Sequence, residues 1–204
     1  HNHTLNATML ADWERLREEI SERQTGGGTP IPTEYVLAGG EEARAFLEGV
    51  PLFAFDLETT EPFVHGAFIP REAHILGYSV SREPGKALYV VGGADHLRDL
   101  LEDRKVTKVC HNSKFEYEVL SRNAGILLRN FEDTKLMAAT LSYPNTGLKE
   151  LAAEILGVTM VTLNQVKRGR PTQEITPEEW LPYAAADSDM TLRLYYKFVK
   201  EMEE

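Results

Sequence analysis

The sequence predicts an α/β fold, a mixed sheet flanked by helices, for most of its 204 residues. Three apolar strand patterns come first, and alternating strand and helix patterns follow them, as expected when helices pack on a partly parallel sheet. The composition is that of a globular chain, with 42% hydrophobic and 26% charged residues. This length suits one domain with a full core and a short appendage.

The appendage is expected at residues 1–34 and the main domain at residues 35–204. Between about Thr4 and Gln24, apolar residues recur at helical spacing with charged residues between them, which predicts an amphipathic helix. The following run, Gly26–Pro32, is rich in glycine and proline and indicates a linker.

The main domain contains four apolar runs bounded by turn residues, which predict strands at Pro51–Leu57, Ala73–Val80, Ala87–Val91 and Val106–Cys110. Helical periodicity predicts helices at Gly39–Gly49, Asp95–Asp103, Ser113–Asn123, Thr134–Leu141, Leu148–Leu156 and Pro177–Glu203. Residues 157–176 are largely polar and are predicted to form a long loop.

The charge balance limits how this chain can bind a nucleic acid. It has 22 basic and 32 acidic residues, a formal net charge of −10. Because affinity for duplex DNA comes largely from Lys and Arg contacts with phosphates, this balance argues against a protein that binds duplex DNA through many such contacts. Clustered carboxylates that hold Mg²⁺ or Mn²⁺ would instead form a local positive site for a phosphodiester.

The cellular setting is indicated by two features of the sequence. Cys110 is the single cysteine, so an internal disulfide framework is excluded and a reducing compartment fits. No apolar run approaches membrane-spanning length, and no secretory-leader pattern is present. We therefore expect a cytoplasmic protein without membrane contact.

Two carboxylates stand at the end of the first predicted strand, in the segment FDLETT. Asp56 and Glu58 are two residues apart, so both side chains leave the same face of the strand. Most such pairs are solvated surface charges. Here they follow an apolar run, and a buried strand carries two charges only where something compensates them. We therefore predict a functional site at this strand end.

A second group, HNSKFE at residues 111–116, leaves a predicted strand and enters a helix. One interpretation is helix initiation, with Asn112 or Ser113 as the N-cap and Glu116 closing a capping box. The other is that Glu116 serves a site at the strand ends. The residues alone leave both interpretations open.

A third group lies in the closing helix, where Tyr183 and Asp187 occupy one face a single turn apart. The three alanines between them would let this helix approach another element closely. A hydrogen-bonded core pair is the alternative interpretation. Asp189 is expected to point away from that face into solvent, and Asp133 is expected to be the N-cap of the helix that follows it.

Together these segments resemble the 3′–5′ exonuclease domain of family A DNA polymerases, DEDD superfamily, tyrosine subtype. The resemblance covers about Phe53 to Met202 and includes FDLETT, HNSKFE, DTKLMAATL, GLKELAAEILG and YAAADSDMTLRLY. It implies an RNase H-like fold with a mixed five-stranded sheet flanked by helices. It also implies proofreading removal of nucleotides from DNA 3′ ends by two divalent metal ions, Mg²⁺ or Mn²⁺. The implied partners are a single-stranded DNA 3′ end and a polymerase domain in the same parent chain.

Carried over to this chain, the resemblance implies that Asp56, Glu58 and Asp187 hold the first metal, with Asp56 bridging to the second. Glu116 would serve the second metal, and Tyr183 would orient the attacking water. These five residues are the expected catalytic set, which agrees with two-metal hydrolysis of a phosphodiester.

The resemblance also implies nucleic-acid contacts. Asn112 and Phe115 match positions that contact the 3′-terminal nucleotides by hydrogen bond and by ring, and Thr59 is expected beside them. The basic cluster Lys167, Arg168 and Arg170 lies in a region that, in the family, flanks the groove that binds the DNA strand, which implies contact with phosphates. The alternative interpretation is a solvated loop, the more common role of such a cluster.

One departure concerns Glu116, because the family normally has Asp at that position. The longer side chain would replace a water at the second metal or displace that metal, so an attenuated exonuclease or a silent exonuclease-fold scaffold is one alternative function. His111 stands where Gln is common. A second alternative is a ribonuclease D-like exonuclease that acts on RNA, since its site chemistry is the same.

Overall fold

The computed structural model describes residues 33–61, 63–64, 67–69 and 72–204. Thr33–Glu204 form one compact unit. The predicted helix at residues 4–24 and the linker at 26–32 lie outside the described residues. In the part of the chain that the structure describes, no helix is long and apolar enough to cross a membrane.

The described residues contain eight strands. In chain order they are β1 (Glu34–Ala38), β2 (Leu52–Thr59), β3 (Phe63–Val64), β4 (Ala67–Phe68), β5 (Ile75–Glu83), β6 (Lys86–Val91), β7 (Thr107–Cys110) and β8 (Phe131–Asp133). β3 and β4 form a separate antiparallel hairpin. The other six form one sheet in the order β1-β6-β5-β2-β7-β8.

The central sheet is mixed, as predicted. β5 runs antiparallel to both of its neighbours, β2 and β6. The pairs β1–β6, β2–β7 and β7–β8 are parallel. The predicted α/β fold with a mixed sheet is confirmed, but the expected count of five strands is wrong, because the sheet has six. The runs that form β1 and β8 are only five and three residues long, too short to be recognised before their pairing partners are known.

Seven α-helices surround the sheet in the described residues. They are α1 (Gly40–Phe46), α2 (Arg98–Glu102), α3 (Ser113–Val119), α4 (Thr134–Thr140), α5 (Leu148–Leu156), α6 (Leu163–Lys167) and α7 (Pro177–Glu203). All six predicted helices are present, some of them shorter than expected. The predicted loop at 157–176 additionally contains α6, whose N-cap Thr162 forms a capping box with Gln165.

The two faces of β2 have different environments, and this difference positions the candidate site. Phe53, Phe55 and Leu57 point into the main apolar core on one face. On the opposite face, Ala54 packs against Leu192 of α7. Because side chains alternate along a strand, Asp56 and Glu58 lie on the same face as Ala54, toward α7.

Asp189 anchors α7 to the sheet, so the expectation that it is solvated is wrong. Its side chain is fully buried. The carboxylate accepts hydrogen bonds from Arg193 at 2.9 and 2.6 Å, from the Tyr35 hydroxyl at 2.7 Å and from the Gly85 amide at 2.8 Å. A buried carboxylate needs such compensation, and here it ties α7 to β1 and to the β5–β6 turn.

Candidate active site

The sheet presents Asp56 and Glu58 beyond the end of a neighbouring strand. Pairing of β2 with β7 is parallel and reaches Ala54 opposite Val109, so the two carboxylates lie past that ladder. On the other side they pair with β5, Glu58 lying opposite Gly77. A Cβ added at Gly77 would lie 2.4 Å from the hydroxyl of Tyr89, so a side chain there would collide with this buried ring.

The closing helix brings the third carboxylate to this strand end. One carboxylate oxygen from each of Asp56, Glu58 and Asp187 lies within 4.8 Å of the others. Ala184 and Ala185 of α7 are fully buried, which agrees with the predicted close approach of this helix. The three residues expected to hold the first metal are therefore brought together.

Glu116 lies beside this three-carboxylate cluster. It is only 2% exposed, and it interacts electrostatically with Asp56 and Glu58. Asn112 is the N-cap of α3, which confirms one of the two predicted positions, but the capping-box role of Glu116 is wrong, because no side-chain cap hydrogen bond is formed there. Glu116 Oε2 has no hydrogen-bond partner among the described residues.

A buried carboxylate in Asp133 performs the capping instead. Its oxygens accept hydrogen bonds from the amides of Lys135 and Leu136, which confirms Asp133 as the N-cap of α4. They also accept from the amides of Asn112 and Ser113 at 3.0 and 2.8 Å and from the Ser113 hydroxyl at 2.8 Å. Asp133 thus joins the first turns of α3 and α4, which holds the helix that carries Glu116.

Burial and mutual repulsion make this cluster electrostatically costly. Burial raises the pKa of Asp56 well above its usual value, and the Asp187 carboxylate adds to the shift. Burial also raises the pKa of Glu58, with Asp56 and Asp187 adding to it. For Glu116, burial again raises the pKa, and Asp56 raises it further.

This donor set fits divalent cations. Glu58 Oε1 and Glu116 Oε2 are buried carboxylate oxygens without a hydrogen-bond partner in the part of the chain that the structure describes. Carboxylate oxygens are the preferred ligands of Mg²⁺ and Mn²⁺. A bound cation would supply the charge compensation that the carboxylates otherwise lack.

Tyr183 lies against the same cluster as a neutral hydroxyl. Burial raises the pKa of Tyr183 far above its usual value, and the neighbouring carboxylates of Asp187, Glu58 and Asp56 raise it further. The neighbouring Tyr183 hydroxyl in turn lowers the pKa of the Asp187 carboxylate. Such a group can orient a water molecule or a carboxylate, but it cannot act as a base at neutral pH.

Lys149 of α5 also reaches the cluster, and sequence reasoning did not identify it. Its ammonium nitrogen lies 2.8 and 3.2 Å from the two oxygens of Asp187. The segment GLKELAAEILG was noted only for its resemblance, and a lysine on an amphipathic helix is usually solvated. No local signal distinguishes Lys149 from such a residue.

The residues expected to contact the 3′-terminal nucleotides are near the carboxylates in sequence and differ in exposure. Thr59 is nearly buried at the end of β2, and Phe115 packs partly against the main core. Asn112 is exposed in the left-handed conformation, with φ of 77°. His111 contacts Thr134 Oγ1 through Nδ1 at 2.8 Å.

The predicted basic cluster is largely engaged within the protein. Lys167 forms an ion pair with Glu61. Arg170 donates to Glu179 Oε1 at 2.7 Å and to the carbonyl oxygen of Lys167. Arg168 is exposed at the end of α6. Of the three, Arg168 is therefore the most exposed.

The sequence of this chain is similar to a known exonuclease family and to parts of bacterial DNA polymerases. A family model described as a 3′–5′ exonuclease of family A DNA polymerases matches residues 38–203. DNA polymerase I of Pseudomonas aeruginosa is 30% identical over 219 aligned positions, which cover 92% of this chain and 23% of that protein. DNA polymerase I of Treponema pallidum is 33% identical over 139 positions, or 65% of this chain and 13% of that protein. The chain thus spans less than a quarter of the length of these relatives.

Two solved structures have a similar fold. Brucella melitensis NrnC with bound Mg²⁺ is 25% identical with a TM-score of 0.64, and 77% of each chain is covered. Escherichia coli RNase D, described as an exoribonuclease involved in structured RNA processing, is 21% identical with a TM-score of 0.66. That match covers 84% of this chain and 46% of RNase D.

Proposed function

Since this chain belongs to the family of 3′–5′ exonuclease domains of family A DNA polymerases, we propose that it removes nucleotides from the 3′ end of single-stranded DNA. The observation that carries the proposal is the convergence of Asp56, Glu58 and Asp187 within 4.8 Å, with buried Glu116 beside them. The chain covers only part of the DNA polymerase I relatives. Because those relatives are polymerases, the proposal includes proofreading for a polymerase domain in the same parent chain. It also includes a cytoplasmic location.

Two divalent cations, Mg²⁺ or Mn²⁺, are the proposed cofactors. Asp56, Glu58 and Asp187 would hold one of them, and Asp56 with Glu116 would hold the other. The pair would supply a nucleophile at neutral pH and stabilise the charge on the leaving 3′-oxygen. The buried unpaired oxygens of Glu58 and Glu116 support this assignment, because a cationic partner stabilises a buried carboxylate in its ionised form.

The remaining site residues position the substrate and the attacking water. The neutral hydroxyl of Tyr183 orients the water, since its high pKa rules out proton abstraction by a tyrosinate. Thr59, Asn112 and Phe115 hold the 3′-terminal nucleotides. Exposed Arg168 contacts a phosphate of the strand, while Lys167 and Arg170, whose charges face Glu61 and Glu179, shape the loop that carries it.

A catalytically silent scaffold fits the site less well. Asp56, Glu58, Glu116 and Asp187 are retained together, and burial raises the pKa of each. This arrangement costs stability unless it binds something. An RNA exonuclease remains a second candidate, because NrnC and RNase D have similar folds.

The test is digestion of 5′-labelled single-stranded DNA by the full chain with Mn²⁺, with and without chelator. A ladder that shortens from the 3′ end only in the presence of metal is expected, and Asp56→Asn provides the inactive control. A matched RNA strand separates the second candidate, since preferential RNA cleavage would overturn the DNA assignment. No cleavage of either strand would leave the scaffold alternative.

A further inference from the structure

A cleft opens on the protein surface between α3, β8 and α4, and we refer to it as the α3–β8 cleft. It encloses about 540 Å³, and its lining includes Asn112, Lys114, Tyr117, Phe131, Lys135 and Leu136. This volume falls in the range of roughly 300–1,000 Å³ of pockets that bury small ligands. None of the roles proposed above uses the interior of this cleft.

The cleft exposes apolar side chains that are usually buried. Tyr117 is 42% exposed and Phe131 is 40% exposed, and their ring centroids are 6.4 Å apart at an interplanar angle of 42°. Leu136 beside them is 65% exposed. Single exposed apolar residues are common, whereas several that line one concave surface indicate a binding site. Tilted rings leave part of their faces open to a planar partner.

The charge of the cleft is opposite to that of the chain as a whole. Lys114 and Lys135 both line it, although the chain carries a formal net charge of −10. Asp133 is the only acidic residue among the lining residues, and its oxygens already accept hydrogen bonds from four backbone amides and one hydroxyl. The cleft is therefore suited to an anionic ligand with a flat apolar part.

The cleft also shares one residue with the proposed nuclease site. Asn112 lines it, and Asn112 is one of the residues proposed to hold the 3′-terminal nucleotides. A strand whose 3′ end lies at the carboxylate cluster thus has a path along α3, from Asn112 toward Tyr117.

We propose that the α3–β8 cleft binds a nucleotide of the single strand on the 5′ side of the terminal nucleotides. Its base packs against both neighbouring rings, those of Tyr117 and Phe131, and Lys114 and Lys135 contact the adjacent phosphates. This proposal rests on the proposed function. A protein segment is the other conceivable occupant, but two lysines around two open aromatic rings match the base and phosphate of a nucleotide more closely.

The test is calorimetric titration of the full chain, in chelator, with unlabelled oligothymidylates of three and ten nucleotides. Tyr117→Ala and Phe131→Ala are each expected to weaken binding of the decamer by about tenfold, in the range of one lost stacking contact. Trimer binding should stay unchanged, because the trimer occupies only the terminal subsite. Tyr117→Phe, which keeps the ring, should bind like the wild type.

The control variant is Leu127→Ala, since Leu127 is 41% exposed but does not line the cleft. Melting curves of all variants verify folding. Equal decamer affinity in wild type and both alanine variants, or no decamer binding by the wild type, would overturn the proposal. So would a change in oligomeric state without a change in DNA affinity, because the surface would then be a protein contact.

Cleavage assays separate this proposal from the proposed function. With Mn²⁺, the alanine variants should show a raised KM for the decamer and an unchanged kcat, with trimer cleavage unaffected. If the wild type binds the decamer through the cleft but cleaves nothing, the nuclease assignment fails and the cleft assignment stands. If the wild type cleaves and the alanine variants match it in affinity and KM, only the cleft assignment fails.

Discussion

Lys149 lies against Asp187 in the candidate active site, its ammonium nitrogen 2.8 and 3.2 Å from the two carboxylate oxygens. The same nitrogen is 4.4 Å from the centre of the Tyr183 ring. One cation therefore contacts both a proposed metal ligand and the proposed water-orienting residue. Because a divalent cation would compete for the same oxygens, we infer that Lys149 balances the charge of the metal-free cluster.

Replacement of Lys149 by Met should destabilise the metal-free protein and enlarge the stabilisation by Mn²⁺. Without the ammonium group, the carboxylates repel one another more strongly, and a metal ion has no internal competitor. A protein of this size shifts its Tm by about 2–4 °C for each kcal/mol, so melting curves with and without Mn²⁺ resolve the effect. Lys105→Met, at an exposed position, is the control. A metal-induced shift equal to that of the wild type would contradict the competition.

Asp56→Asn should raise the Tm of the metal-free protein and abolish cleavage. The substitution removes one buried charge that burial and Asp187 make unfavourable. Millimolar Mn²⁺ or Mg²⁺ should raise the Tm of the wild type by linkage but have less effect on the variant. If metal leaves the wild-type melting curve unmoved, the carboxylates do not share a cation.

Tyr183→Phe should lower kcat by roughly ten- to a thousandfold, in the range of an orienting or acid–base contribution. Metal binding should persist, because the hydroxyl is proposed to align water and the ring still packs against Trp180. Single-turnover rates and the Mn²⁺-induced Tm shift measure the two properties separately. Wild-type turnover in the Phe variant would leave Tyr183 with a packing role alone.

Glu116→Ala should lower kcat at least about a hundredfold if Glu116 holds the second metal. Glu116→Asp should retain or raise activity, since it restores the side-chain length usual in the family at unchanged charge. Turnover per folded molecule and Tm are measured on both variants. Unchanged turnover in the Ala variant would reduce the site to Asp56, Glu58 and Asp187. A large gain in the Asp variant would identify an attenuated exonuclease.

His111→Gln should remove part of the acid sensitivity of folding. Burial lowers the pKa of His111 to about 4, below its ordinary value of 6.5. The unfolded chain therefore binds a proton between these values that the folded chain does not, so the wild type loses stability as the pH falls through this window. The loss is at most about 1.4 kcal/mol per pH unit. Urea unfolding of both proteins at pH 7 and pH 4.5 measures it, and equal losses would show that His111 is protonated in the folded state.

Local periodicity placed Asp56 and Glu58 together at a strand end, whereas Glu116, Tyr183 and Asp187 entered the expected site through the resemblance to the exonuclease family. The alternation along the first predicted strand put Asp56 and Glu58 on one face, and the structure agrees, with Phe53 and Phe55 in the core on the opposite face. The capping role of Asp133 follows from the helix start beside it. Neither conclusion required knowledge of distant parts of the chain.

The capping interpretation of Glu116 was wrong because the start of α3 is capped by a residue from another part of the chain. Ser113 and Glu116 have the spacing of a capping box, but the amides at the start of α3 donate instead to Asp133, about twenty residues further along. Glu116 is thereby left to face Asp56. The spacing of Ser113 and Glu116 fits a capping box, but Asp133, which the fold brings to the start of α3, accepts those hydrogen bonds instead.

The sequence by itself determined the α/β class, the principal strands and helices, and the residue types available to bind metal. These features depend on periods of two or about 3.6 residues, which are read within one element. The tertiary structure alone decided the edge strands β1 and β8, the pairing of Lys149 with Asp187 across 38 residues, and the burial of Asp189 under Tyr35 across 154 residues. Such contacts depend on which elements pack together, and the environment of a charged side chain is set by that packing rather than by its neighbours in sequence.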